Sequence, residues 1–65
     1  MSDADEYAKA MRTGNSIMCA HIEQRHGLFG YPPELVSAGL HGIDIGIDPH
    51  EAIDEYIQNQ RETMK

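Results

Sequence analysis

Four side chains able to bind a metal, or to act as nucleophile and base, fall within eight consecutive residues: Cys19, His21, Glu23 and His26. Metal binding is the first chemistry they suggest, because Glu23-x-x-His26 has the spacing used by di-iron helical bundles. In those bundles every ligand projects into a shared core. On one continuous helix Glu23 and His26 lie away from the apolar stripe of Tyr7, Met11, Met18 and Ile22, while His21 lies near the stripe on the other side. Cys19, Glu23 and His26 then converge only toward a partner surface. A metal site needs ligand number and geometry together, so the expectation is no cofactor and no stoichiometric metal. A metal-binding helical dimer is kept as a third reading.

The same residues invite a cysteine-nucleophile reading, but no glycine-flanked nucleophile turn surrounds Cys19. The six glycines are scattered and form no phosphate-binding loop. A few short helices also give little concave volume from which to exclude water. The chain is therefore read as a non-enzyme, with Cys19 a small apolar residue at the edge of the core.

Charge says more. Eleven acidic residues stand against five basic ones, a formal net charge of −6. That balance is repelled by nucleic acid and by anionic membrane surfaces, and it favours partners that carry positive charge. Glu51, Asp54, Glu55 and Glu62 share one helical face opposite Ile53 and Ile57, and the first three have no base three or four residues further on. Part of this run suits a helix N-terminus, and surface charge often serves only solubility. The functional reading is a docking strip for a protein partner with a basic surface. A helix-turn-helix would make residues 49–63 the recognition helix, and these carboxylates would face phosphates, so direct nucleic-acid binding is not expected. An alternative is an acidic inhibitor of a nucleic-acid-binding protein, of a size common among mobile-element accessory proteins. Four carboxylates over ~16 Å of helix give about one per ~4 Å, less than half the charge density of duplex DNA, so one chain is only a partial mimic.

The elements that must position these residues form a single small domain over residues 1–65, all-α, with three helices. Ser2 caps the first, with Asp5 three residues on. Its stripe runs through Ala4, Tyr7, Met11, Met18 and Ile22, and Gly27 is its stop. Thr13-Gly14-Asn15-Ser16 is a run of poor helix formers where a break capped by Ser16 is one option. The preserved apolar phase favours a continuous long helix, with Gly14 inside the stripe as a candidate close crossing. Pro32-Pro33 opens a short second helix whose stripe is Leu35, Val36, Gly39, Leu40 and Ile43, with His41 pointing away and Gly42 as its end. Ile43-Asp44-Ile45-Gly46-Ile47 alternates like a strand, yet has no partner strand. It is read as a loop whose isoleucines plug the core, with pairing across a dimer as the lesser option.

The third helix has the clearest start: Asp48 as cap, Pro49 first in the helix, Glu51 closing a capping box, and Ile47 with Ala52 as a hydrophobic staple. Its buried stripe is Ile53, Tyr56, Ile57, Gln60 and Met64, and Arg61 and Lys65 suit its C-terminal pole.

With 65 residues and a single cysteine, the chain has no intrachain disulfide to reinforce a small core. A homodimer is the expected remedy. The lone thiol, the acidic start without a following apolar run and the lack of a spanning segment point to a cytoplasmic protein with no membrane partner.

Overall fold

The computed structural model describes residues 2–63, and for residues 62 and 63 the backbone alone. Met64 and Lys65, expected in the last stripe and at its C-terminal pole, lie outside the described residues. Among the described residues the chain is all-helical, without a strand, and has four helices rather than three: α1 (Asp3–Thr13), α2 (Ser16–Arg25), α3 (Pro33–Asp44) and α4 (Pro49–Thr63).

The extra helix comes from a break at Gly14, where one continuous helix was expected. Gly14 adopts φ +74°, a left-handed conformation that costs a residue with a side chain about 1–2 kcal/mol. The Asn15 N–H reaches the Ala10 carbonyl at 2.8 Å and the Gly14 N–H reaches that of Met11 at 3.3 Å, so two orphan carbonyls of α1 are satisfied. Asn15, not Ser16, then caps α2: its Oδ1 accepts from the Met18 N–H at 3.1 Å. The break rotates α2 out of the phase set by α1. Tyr7 and Ile22 are fully buried, but Met11 and Met18 are exposed and Ile17 is 82% exposed. Gly14 makes no close crossing, since a Cβ there would meet nothing within 4 Å.

The close crossing lies instead between α3 and α4. A Cβ on Gly42 would come within 2.4 Å of the Ala52 Cβ, and one on Gly39 within 3.1 Å of Leu28 Cδ1 and 3.3 Å of Ile53 Cδ1. Gly42 is thus a packing residue inside α3 rather than its end. The helix runs on to Asp44, and the Ile47 N–H closes it on the Gly42 carbonyl at 2.8 Å. The alternation over residues 43–47 is therefore neither strand nor core plug throughout. Ile43 packs against the core, Ile45 is 73% exposed, and Ile47 is half-buried.

Two helical hairpins result, α1 with α2 and α3 with α4, and they are joined mainly where α1 meets α3. The core between them is Ala4, Tyr7, Ile22, Leu28, Val36, Leu40 and Ile53. Leu28 is fully buried just after the turn at Gly27 and joins this core. Ser2 caps α1 as expected, its Oγ accepting from the Asp5 N–H at 3.2 Å. No helix among the described residues is long and apolar enough to cross a membrane.

Candidate protein-interaction surface

The start of α4 fixes where its carboxylates point. Asp48 Oδ1 accepts from the His50 N–H at 2.8 Å, and Pro49 supplies the preset φ of a first helical residue. From that origin Ile53 falls on the core, with Tyr56 and Ile57 half-buried beside it. Glu51, Asp54 and Glu55 are all exposed. Among the described residues these three make no ion pair and no side-chain hydrogen bond. Glu62 is on the same helix at the spacing that continues the strip, and its side chain lies outside the described residues.

Beside the strip, α3 and α4 enclose an open groove of about 550 Å³. Its half-buried or buried lining is mostly apolar: Ala38, Gly42, Ile47 and Ala52, with Ser37 and the Tyr56 ring beside them. Its exposed lining includes Glu34, His41, Ile45 and Glu55, so Glu55 belongs both to the strip and to the groove. A three-residue clasp spans the helices at the groove. The Tyr56 hydroxyl donates to Glu34, while Gln60 Nε2 lies 3.1 Å from Glu34 Oε1 and 2.9 Å from the Tyr56 hydroxyl. The hydrogen bond from Tyr56, then that from Gln60, hold the Glu34 carboxyl below its ordinary range. Gln60 is exposed, so it serves this clasp rather than the buried stripe in which the sequence placed it.

Of the residues that suggested metal or nucleophile chemistry, Glu23 and His26 are engaged in holding α1 to α2. The hydroxyl of the buried Tyr7 donates to Glu23 Oε2 at 2.7 Å, at the edge of the core. Burial first, and this bond second, raise the Tyr7 pKa far above that of a free phenol. His26 Nε2 lies 2.5 Å from Asp3 Oδ2, and Arg25 Nη1 lies 3.3 Å from Asp3 Oδ1. The hydrogen bond with His26, followed by the charge of Arg25, hold the Asp3 carboxyl low. Glu23 and His26 therefore turn toward α1, which the continuous-helix geometry had ruled out. Cys19 packs against the core, and burial, with the nearby Glu23 carboxylate, raises its thiol pKa. That is the opposite of what a nucleophile needs. His21 is exposed. Among the described residues, no three His, Cys, Asp or Glu side chains are placed to hold a metal ion.

The exposure of Glu51, Asp54 and Glu55 follows from their spacing in the sequence, whereas the groove and its clasp do not. Tyr56 and Gln60 share a helical face, but Glu34 is separated from them by 22 and 26 residues. No local pattern reports a pairing across that distance. Phe29, 64% exposed, and Tyr31, which stands edge-on to the His50 ring, form a second exposed apolar feature next to the start of α4. No family model, no curated protein and no solved structure matches this chain.

Proposed function

We propose that the chain is a non-enzymatic interaction protein that binds and modulates a protein partner through the acidic outer face of α4. The observation that carries this is the contrast in how the carboxylates are used. Asp3, Glu23 and Glu34 are each bonded within the fold, while Glu51, Asp54 and Glu55 stand exposed and make no ion pair among the described residues. Unengaged surface carboxylates steer association with a basic surface and give it salt dependence. In this reading Glu62 extends the strip by about two further turns. The raised Cys19 pKa and the open shape of the groove both count against catalysis.

A homodimer belongs to the same reading. The chain is short, and its exposed Met11, Ile17 and Met18 flank the Gly14 break, where apolar surface is left without cover in one copy. Light scattering across a dilution series should give a mass that falls from two chains to one. A constant monomer mass would remove the dimer while leaving the acidic-face reading intact. The acidic face itself is tested by capturing the partner at low salt, purifying it, and measuring its affinity for this chain as salt is raised. Affinity should fall steadily across physiological ionic strength, where charges within ~8 Å still interact. Affinity independent of salt would contradict a carboxylate-driven contact.

A further inference from the structure

The groove between α3 and α4 differs from the strip in having a mostly apolar floor around Ala38, Gly42 and Ala52, from which a point charge on a partner would gain nothing. Its α4 wall runs from Ala52 to Asn59, seven residue steps or ~10 Å. That length spans nearly two turns of a docked helix and matches apolar anchors spaced three or four residues apart. The groove is too open to enclose a small molecule, whose sites bury most of the ligand surface. Its rim carries Glu34 and Glu55, with Asp54 and Glu51 beyond Glu55 on the same helix.

We infer that this groove receives a basic amphipathic helix of another protein, with one or two apolar side chains seated over Ala38 and Ala52 and flanking Lys or Arg residues meeting Glu55 and the rest of the strip. The inference rests on the acidic-face reading and adds the apolar anchor and the helical form of the partner. Charge complementarity selects the occupant. No helix of this chain carries a surplus of Lys and Arg over Asp and Glu, so a second copy offers no basic counterpart to the rim.

The test uses the full-length chain, isotope-labelled for amide NMR, and three synthetic helical peptides. One combines Leu at helical spacing with Lys, one has Glu in place of the Lys, and one has Ser in place of the Leu. The Leu–Lys peptide should shift amides of both groove walls and bind more tightly than either control. Glu55→Lys, an exposed change, should weaken it roughly fivefold. Ala38→Trp, which fills the groove, should abolish the groove shifts, and the amide spectrum of the free variant reports whether it remains folded. Equal binding of both Lys peptides, with shifts confined to the outer face of α4, would overturn the groove and leave the acidic-face reading standing. Equal binding of the Leu–Glu peptide would overturn the claim that charge selects the occupant. Groove shifts that grow with protein concentration alone would assign the site to a second copy instead. No shift with millimolar Leu–Lys peptide would overturn the inference, while the salt dependence measured with the purified partner would still decide the acidic face separately.

Discussion

The two hairpins use their polar residues in opposite ways. In α1–α2, the side chains with the most chemistry hold the fold: Tyr7 on Glu23, and Asp3 on His26 and Arg25. In α3–α4, the helices approach through Gly39 and Gly42, and the contact is made mostly by apolar atoms. There a polar clasp, Glu34 with Tyr56 and Gln60, crosses between the helices, and the outer carboxylates Glu51, Asp54 and Glu55 of α4 are exposed. The density of reactive residue types along the sequence is thus a poor guide to which polar groups the fold leaves exposed. In the richest cluster, from Cys19 to His26, Glu23 and His26 are bonded to α1 and Cys19 packs against the core, while the acidic face is the proposed site of contact.

The largest effect should come from closing the space that lets α3 and α4 approach. In Gly42→Ala the new Cβ would overlap that of Ala52, which is fixed to backbone and cannot swing away. Overpacking of this kind costs about 3 kcal/mol, and the better helix propensity of alanine returns about 1 kcal/mol. The expected result is a net loss of roughly 2 kcal/mol in a denaturant titration. No loss would mean that the hairpin tolerates a wider spacing and that its glycines are incidental.

On the other side of the comparison, Tyr7→Phe keeps the buried ring and removes only the hydroxyl that satisfies Glu23. A loss of about 1.5 kcal/mol is expected, the lower end for a hydrogen bond to a charged acceptor, because Glu23 is only half-buried. An unchanged midpoint would show that water replaces the hydroxyl, and the view of α1–α2 as a polar-latched pair would fail.

A smaller effect should appear on acidification. Asp3 and Glu34 both have carboxyl groups held below their ordinary values by bonds made in the folded state. A carboxylate lowered on folding contributes stability that is fully present above its unfolded value. That contribution is lost as pH falls from the ordinary carboxylate range through the depressed folded values. Stability followed from neutral pH downward should hold until that range and then fall. Asp3→Asn should flatten the fall more than Asp54→Asn, whose carboxylate makes no bond within the described fold. Equal flattening by both would erase the distinction between engaged and exposed acids.

Much of this architecture is legible from local signals. Ser2, Pro33, Asp48 and Pro49 mark helix starts because capping and proline chemistry act within one turn of the chain, and each start is found where those residues stand. The break at Gly14-Asn15 was open to the same logic, a left-handed glycine followed by an asparagine cap. It was outweighed by the apolar phase of Met11 and Met18, two residues that the structure leaves exposed. Gly42 shows the converse error. A glycine near the end of an apolar stripe reads as a stop, and only the tertiary position of Ala52 reveals it as a contact. Of the candidate surface, Glu51, Asp54 and Glu55 were found from spacing alone. The groove was not, because its two walls come from helices whose facing is set by packing rather than by either sequence alone.

If the outer carboxylates of α4 serve a partner and not the fold, the double variant Asp54→Lys with Glu55→Lys should separate binding from stability. Glu51 is left in place because it stands in the first turn, where an acidic residue also favours the helix N-terminus. Denaturation and partner affinity should be measured on the same preparation, the latter as a function of salt. The account predicts a midpoint within about 0.5 kcal/mol of the parent chain, together with a clear loss of affinity and a shallower salt slope. Unchanged affinity and salt slope in a folded double variant would contradict it, and the exposed surface around Phe29 and Tyr31 would then be the interface to test.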